Sequence, residues 1–385
     1  MTFSGSDRRG FSSWWRTIDG TVLIAMLALV AIGLMLAFAA SPAATGGPFT
    51  PGDFRYATKQ IAFAGIAIVI VGITSTLSPR AVKLSAAVIY AFAVIGCAIV
   101  LFTGDEVLGA KRWINLGWLT LQPSEFLKPS FAILAAAVLA DKTKMILSKE
   151  VVAFLLAAPA LILLVPEPDV GQTGLLLALW GALLFFSGVS YIWIGVLAGG
   201  SACLGFVAYV LFPHVHHRLD QFLNADQTGY QTGLALKAFE HGGIAGVGPG
   251  AGTIKYHIPD AHSDFIFAVA GEEFGLVLCG AIALLFCILS VKLLLRSAKM
   301  GDPFASLAGS GLAVVVALQA FINMGVAVSL LPAKGMTLPF ISYGGSSLFA
   351  VALTMGFALA VTRQRSKIGE RHYELFGFLK EAPSA

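Results

Sequence analysis

The chain has 385 residues, of which 57% are hydrophobic and 12% are charged, with a formal net charge of +4. An ordinary soluble domain carries about 25% charged residues, so this sequence has too little charge to cover a water-exposed surface. Its Lys and Arg residues lie in short segments between apolar runs and form no basic patch, which excludes nucleic acid as an expected partner. The composition predicts an integral membrane protein surrounded by membrane lipids.

Apolar runs of about 20 residues, the length that crosses a bilayer as a helix, recur along the whole chain. We predict an all-α, polytopic fold with ten transmembrane helices, because lipid offers the backbone no hydrogen-bond partners. The chain is treated as one domain, with tails at 1–19 and 363–385 and one long loop at 213–263. The predicted spans are 20–40, 60–77, 84–102, 123–140, 151–165, 171–188, 191–212, 264–291, 304–328 and 346–362.

The distribution of positive charge predicts the orientation. With ten spans, 16 of the 25 Lys and Arg residues fall on the side that holds both chain ends. Cytoplasmic loops carry the excess of Lys and Arg in membrane proteins. Both tails are therefore expected in the cytoplasm, and the 213–263 loop is expected outside.

Ionisable residues at membrane depth are costly and usually mark functional sites or transport paths. Glu125 and Lys128 open the fourth predicted span three residues apart, which places them on one helix face. Two interpretations stay open for them. They are either an ion pair at the helix entrance or a charged pair that faces an outer cavity.

Asp264 stands at the start of the eighth predicted span, within His262–Phe265, and Glu272 and Glu273 follow it. An aspartate there is either an N-cap or first-turn carboxylate or a catalytic group. Glu272 lies about 12 Å deeper along a helix. Of the three carboxylates, Asp264 is therefore the one that a water-soluble or headgroup substrate could reach.

Three other motifs are interpreted as structural. Asp169 ends a proline-rich turn and suits the N-cap of the next helix. The glycine-rich segment 242–250 lacks the ending of a nucleotide phosphate loop, and it is predicted to turn the chain after a short helix around 230–240. His214, His216 and His217 do not form a metal-ligand set, so they are expected in a solvated loop.

At these residues the sequence resembles the SEDS family (shape, elongation, division and sporulation) over essentially the whole chain. The departures at Val170 and Ser263 leave the acidic groups in place. Lys334 and Thr337 are similar to the cell-division members, and the elongation type is the alternative. The motifs that carry the resemblance are Gly109–Ile114, Gln122–Lys128, Pro168–Gly171, His262–Phe265 with its continuation to Glu273, and Pro339–Ser347.

The resemblance implies a peptidoglycan glycosyltransferase that polymerises lipid II, a disaccharide-pentapeptide on undecaprenyl pyrophosphate. A sugar hydroxyl would attack the anomeric carbon of a second molecule and expel its lipid pyrophosphate, with Asp264 as general base. Glu125 and Lys128 are implied as active-cavity residues. A divalent cation, Mg²⁺ or Mn²⁺, is left open. The candidate cations for the pyrophosphate are Lys111, Arg112, Lys128, Arg218 and Lys237.

The resemblance also implies partners and a location. They are a class B penicillin-binding protein transpeptidase, other divisome membrane proteins, and the bacterial cytoplasmic (inner) membrane at the division septum. The rival hypotheses are a lipid II flippase and a purely structural division scaffold. A flippase path needs polar groups toward the inner half of the membrane, where Glu272, Glu273, Gln319 and Asn323 are the candidates.

Overall fold

The computed structural model describes residues 14, 17–45, 54–107, 110–143, 146–167, 169–212, 215–216, 219–220, 230–332 and 335–363. Helices dominate this part of the chain, and each of the ten predicted spans coincides with one of them. A further helix, α8, lies within the long loop. The α-helices are α1 (Gly20–Thr45), α2 (Arg55–Ser75), α3 (Pro79–Thr103), α4 (Ser124–Ala140), α5 (Lys149–Leu164), α6 (Val170–Phe186), α7 (Tyr191–Leu211), α8 (Tyr230–Gly242), α9 (Ile266–Ala298), α10 (Pro303–Ala327) and α11 (Gly345–Val361).

Length and composition make these helices a membrane bundle. Six of them, α1, α2, α3, α7, α9 and α10, are long and apolar enough to cross a bilayer on that basis alone. The shorter α6 and α11 are also apolar, and α4 and α5 have 17 and 16 residues. The predicted polytopic all-helical membrane fold is confirmed.

Helix α10 lies at the centre of the bundle, in contact with α4, α6, α9 and α11. Gln319 and Asn323 of this helix are buried, and their separation of four residues places them on one helix face. By contrast, α7 has no buried residue. The polar side chains of α10 are therefore shielded from lipid by the surrounding helices.

A small antiparallel sheet follows α3, and the sequence did not predict it. Strands β1 (Asp105–Val107), β2 (Ala110–Asn115) and β3 (Thr120–Leu121) pair in that order. The turn between β2 and β3 contains Gly117 at φ 84°, a conformation that glycine adopts without strain. The sheet leads directly into α4 and contacts α3 and α11.

Helix α9 is broken at Gly275, where φ is 74° and ψ is −176°. The glycine-rich segment after α8 lies against this break and supplies the hydrogen bonds that the helix has lost. Non-helical backbone at membrane depth is stable where protein groups satisfy it in this way. The four bonds are Leu276 N to Gly243 O (3.0 Å), Val277 N to Ile244 O (3.3 Å), Val247 N to Glu272 O (3.0 Å) and Gly248 N to Glu273 O (3.0 Å).

The predicted short helix and its turn are confirmed by α8, which ends at Gly242. Gly243 follows at φ 55°, the left-handed conformation that commonly closes a helix. Beyond this turn, the segment has a second role that its sequence did not reveal. It completes the backbone of α9.

Candidate active site

A cavity of about 380 Å³ opens at the end of the bundle where α2, α4, α9 and α11 begin. Its volume falls within the range of about 300–1,000 Å³ typical of ligand sites. Charged and aromatic side chains from five separate parts of the chain meet in its wall. They include Lys59, Phe63, Arg112, Trp118, Glu125 and Asp264.

Asp264 lies in the turn before α9 and is half-buried. The N-cap residue of α9 is Phe265, so Asp264 does not cap the helix. Its backbone N–H donates to Asp260 O at 3.0 Å, and its carbonyl accepts from Asn323 Nδ2 at 2.9 Å. These bonds hold the backbone of Asp264 in place while its side chain lines the cavity.

Glu125 and Lys128 form a buried ion pair, with Lys128 Nζ 2.7 Å from Glu125 Oε2 and about 3% of each side chain exposed. Gln172 Nε2 also donates to Glu125, and Lys128 donates to Gln319 Oε1 at 3.1 Å. Glu125 is part of the cavity wall, whereas Lys128 is not among its lining residues. The two interpretations of this pair therefore combine, because the ion pair forms and its acidic member faces the cavity.

Arg112 on β2 also lines the cavity and is tied to the turn before α6. Its Nε donates to Glu167 O at 3.1 Å and lies 3.9 Å from Asp169 Oδ2. Asp169 Oδ1 accepts from Gln172 N at 3.2 Å as the N-cap of α6, as predicted, and its Oδ2 accepts from Gln122 Nε2 at 3.2 Å. The sheet, α4 and α6 are thereby joined around Arg112.

Burial alters the acidity of this turn. It raises the pKa of Glu167 to about 8, and repulsion from the carboxylate of Asp169 adds to the effect. Burial also raises the pKa of Asp169, while the guanidinium of Arg112 opposes that shift. The guanidinium of Arg112 therefore interacts with the carboxyl groups of both Glu167 and Asp169.

Thr337, one of the residues typical of the division type, belongs to the same polar network. Gln319 Nε2 donates to Thr337 O at 3.2 Å, and the hydroxyl groups of Thr337 and Ser347 are hydrogen-bonded to each other. Both of these residues line the cavity. Through Gln319, this wall is connected to the Glu125–Lys128 pair.

Of the remaining predicted cations, one has a described side chain, and it does not line the cavity. Lys237 is exposed on α8 and is not among the lining residues. Lys111 lies on β2, but its side chain is outside the described part of the structure, and Arg218 and Lys334 are wholly outside it.

Sequence reasoning missed Lys59 and the positions of Gln319 and Asn323. Lys59 immediately precedes the second predicted span, on the side predicted to face outward, and that placement was the available signal. The two amides were considered only as parts of a transport path. Their contacts with the loop before α11 depend on helix packing, which no local pattern reveals.

The acidic residues of the described cavity bear on the divalent cation that the resemblance left open. Among the residues that the structure describes, no group of three or more His, Cys, Asp or Glu side chains could hold a metal ion. Glu125 already accepts bonds from Lys128 and Gln172. We therefore derive no catalytic step through a metal.

Comparisons with known proteins agree with this architecture. A protein from Caulobacter vibrioides named "Probable peptidoglycan glycosyltransferase FtsW" is 43% identical over 366 residues, covering 94% of each chain. Its namesake from Coxiella burnetii is 34% identical, covering 91% of this chain and 96% of that protein.

Solved structures show the same fold. A chain from a peptidoglycan synthase complex that coordinates polymerization and crosslinking aligns with a TM-score of 0.74, 26% identity, and coverage of 90% and 97%. The rod shape determining protein RodA of Thermus thermophilus aligns with a TM-score of 0.69, 25% identity, and coverage of 91% and 99%. The family model for cell cycle proteins of the FtsW, RodA and SpoVE type matches residues 20–367. The chain belongs to this family, the SEDS family that its motifs resemble.

Proposed function

We propose that this membrane protein is a peptidoglycan glycosyltransferase of the division type and that it polymerises lipid II in the cavity beside Asp264. The supporting observation is the meeting of a half-buried carboxylate, a cationic wall and aromatic side chains at one end of a membrane bundle. The names of the curated relatives support the reaction class.

Asp264 acts as the general base in this proposal. It accepts the proton of the attacking sugar hydroxyl while that oxygen forms a bond to the anomeric carbon of the second molecule. The bond from that carbon to the pyrophosphate oxygen breaks with inversion, and the electron pair leaves with the pyrophosphate. A positioned general base contributes about 10²–10⁴-fold to the rate, and Asn323 and Asp260 supply the positioning through the backbone of Asp264.

Arg112 supplies positive charge near the leaving group. Preorganised cations aimed at developing negative charge give large rate effects because they need no rearrangement during the reaction. The bond from Arg112 to Glu167 O and its proximity to Asp169 provide that preorganisation. Glu125 lies in the same wall, and Lys128 supports it from behind.

The proposal places this cavity on the outer face of the cytoplasmic membrane at the division septum, with a class B penicillin-binding protein as partner. The excess of Lys and Arg on the opposite side supports the orientation. The structural relative from a complex that coordinates polymerization and crosslinking supports a transpeptidase partner.

The flippase hypothesis is weakened because the polar groups that its path would need are engaged in the fold. Glu272 accepts bonds from three backbone N–H groups, and Glu273 is paired with Lys255. Gln319 and Asn323 hold the loop before α11. A transported headgroup would have to break these bonds.

The test is reconstitution of the purified protein and its transpeptidase partner with lipid II. Asp264→Asn should insert, fold and bind its partner but should polymerise about 10²–10⁴-fold more slowly than the wild type. The matched control is Asp302→Asn, because Asp302 is a true N-cap, of α10, and asparagine caps equally well. Near wild-type polymerisation by Asp264→Asn would refute the assignment. Translocation of lipid II without polymerisation would support the flippase.

A further inference from the structure

The cations in and behind the cavity differ in whether the protein neutralises them. Arg112 lies near Asp169, Lys128 is bound to Glu125, and Lys255, deeper in the bundle, is bound to Glu273. Each of these three charges already has an acidic partner. Lys128 and Lys255 are therefore poorly placed to bind a ligand anion without giving up an internal interaction, whereas Arg112, which lines the cavity and lies 3.9 Å from Asp169, can share its charge with the leaving group.

Lys59 is different. It lies in the second turn of α2, is half-buried, and lines the same cavity as Asp264. Within the described residues, no carboxylate lies within 4.0 Å of its ammonium group, and no hydrogen bond of that group is found. It is the cavity-lining lysine of the described chain, and no described carboxylate forms an ion pair with it.

The backbone next to Lys59 is firmly placed. Gln60 is buried and donates from Nε2 to Ser342 O at 3.1 Å, which joins α2 to the loop before α11. Ala57 is also buried. Because its neighbours are fixed, the stem of Lys59 rises from a rigid helix at the cavity wall.

Removing an ammonium group from water is unfavourable unless an anion or several acceptors compensate for it. A half-buried lysine that faces a cavity without a partner therefore favours an anionic ligand. A phosphate oxygen suits a lysine, which binds phosphate as a point charge. In the proposed function, which this inference presupposes, the substrate carries a pyrophosphate.

We propose that Lys59 binds the pyrophosphate of the polyprenyl carrier, first in lipid II and then in the released undecaprenyl pyrophosphate. When the bond to the anomeric carbon breaks, the electron pair passes to the pyrophosphate oxygen, and the ammonium group of Lys59 stabilises the added negative charge. Lys59 takes a role for which the sequence offered Lys128 as one of five candidate cations. The charge of Lys128 is already used within the protein.

The experiment measures binding rather than turnover, in Asp264→Asn protein so that no ligand is consumed. Probes are undecaprenyl pyrophosphate, undecaprenyl monophosphate, undecaprenol and inorganic pyrophosphate, each titrated against protein in nanodiscs of uncharged lipid. Lys59→Gln should weaken binding of undecaprenyl pyrophosphate by roughly 10- to 100-fold, the usual effect of losing a charged hydrogen bond. Binding of undecaprenol should not change.

Two further variants sharpen the result. Lys59→Arg should retain most of the pyrophosphate affinity because it keeps the charge. Arg55→Gln is the matched control, since Arg55 lies one turn earlier on α2, is exposed and is not part of the cavity wall. Competition by inorganic pyrophosphate would show that the charged group alone is recognised, whereas binding of the lipid-linked form only would show that the chain is also required.

Equal affinity of Lys59→Gln and the Asp264→Asn parent for undecaprenyl pyrophosphate would overturn the proposal. If Lys59→Gln does not give folded protein, Lys59→Met, which preserves the apolar stem, is compared with the Asp264→Asn parent instead. Binding and polymerisation are measured separately, so the two proposals can fail separately. If binding depends on Lys59 but the wild-type protein makes no glycan, the pyrophosphate site at Lys59 stands and the proposed polymerase function is refuted.

Discussion

The side-chain amide of Asn323 donates to the backbone carbonyl of Asp264 at 2.9 Å and to that of Met336 at 2.6 Å. One buried side chain on the central helix thus holds together the turn before α9 and the loop before α11. Both segments contribute to the cavity wall. The position of the proposed base is therefore set from the centre of the bundle.

Asn323→Ala removes both bonds and leaves two carbonyl groups without their donor. We expect a loss of stability of about 1–3 kcal/mol and a fall in kcat of up to about 10²-fold, the effect of a misplaced reacting group. KM for lipid II should change little. Ser290→Ala is the control, because the buried hydroxyl of Ser290 has no partner in the described structure. An unchanged kcat for Asn323→Ala would show that this amide does not position Asp264.

A double-mutant cycle distinguishes a structural role of the Glu125–Lys128 pair from a role in binding the substrate. Removing either charge leaves the other one buried, which costs about 3–5 kcal/mol, whereas removing both is much less harmful. Lys128→Met and Glu125→Gln should each lower the unfolding temperature, and the double variant should recover most of the loss. Lys292→Gln, at an exposed position on α9, provides the surface control.

The same cycle tests the substrate role that was predicted for Lys128. If Lys128 only neutralises Glu125, lipid II affinity should return together with stability in the double variant. Recovery of stability without recovery of affinity would instead identify Lys128 as a ligand for the pyrophosphate. The buried geometry of the pair favours the first result.

Lys255 and Glu273 form a second buried ion pair, and Lys255 Nζ also donates to Ala39 O at 2.7 Å. Glu273→Gln would leave the ammonium group of Lys255 without a counter-charge. We expect faster amide hydrogen exchange in the segment 243–258 and at the break in α9, together with lower polymerase activity. Glu240→Gln, at an exposed position on α8, should exchange like the wild type. Unchanged exchange in Glu273→Gln would show that the segment is held by its backbone bonds alone.

Most of the helical architecture could be predicted because the length of an apolar run is a local property. The sheet of residues 105–121 and the break at Gly275 could not. A helix containing one glycine is compatible with the sequence of α9, and the break is stable only because residues 243–248 supply the missing hydrogen bonds. Such bonds join positions about 30 residues apart, and no periodicity encodes them.

The candidate site was likewise predictable from the sequence only in part. Asp264 and Glu125 were identified because charge near the end of an apolar run is uncommon, and Arg112 was one of the outer-side cations proposed for the pyrophosphate. The structure places all three in one cavity. Charge alone does not show which cations are already neutralised. For that reason Lys128 was assigned to the substrate and Lys59 was overlooked.

The raised pKa of Glu167, about 8 in the folded protein, predicts a dependence of stability on pH. The folded state binds this proton more tightly than the unfolded chain, whose glutamate has a pKa near 4.5. The contribution of Glu167 to stability is therefore greatest below about pH 4.5, falls as the pH rises and reaches its minimum above about 8. Glu167→Gln should gain unfolding temperature relative to the wild type between pH 5 and pH 9.

Asp141→Asn is the control for this comparison. Hydrogen bonds from the backbone and side chain of Thr143 lower the pKa of Asp141, so its charge does not change between pH 5 and pH 9. The difference in unfolding temperature between Asp141→Asn and the wild type should be constant between pH 5 and pH 9. A constant difference for Glu167→Gln as well would contradict the raised pKa.

Gly335 gives the most direct structural test of Asp264. A Cβ atom at this position would lie 3.1 Å from Asp264 Oδ2, closer than ordinary van der Waals contact. Gly335→Ala must therefore displace the carboxylate or the loop, without removing any charge or hydrogen-bonding group. A displacement of about 1 Å can lower a rate by about 10²-fold. The few tenths of an ångström needed here should lower polymerisation by a smaller factor, while the unfolding temperature changes little.

Gly344→Ala is the matched control in the same loop. Its added methyl group would make only ordinary contacts, at 3.7 Å from Ser347 and Thr337, and its backbone is extended, at φ 163°. It should retain most of the activity. If Gly335→Ala and Gly344→Ala polymerise lipid II equally well, the exact position of the Asp264 carboxylate does not limit the rate, and its role as general base loses its geometric support.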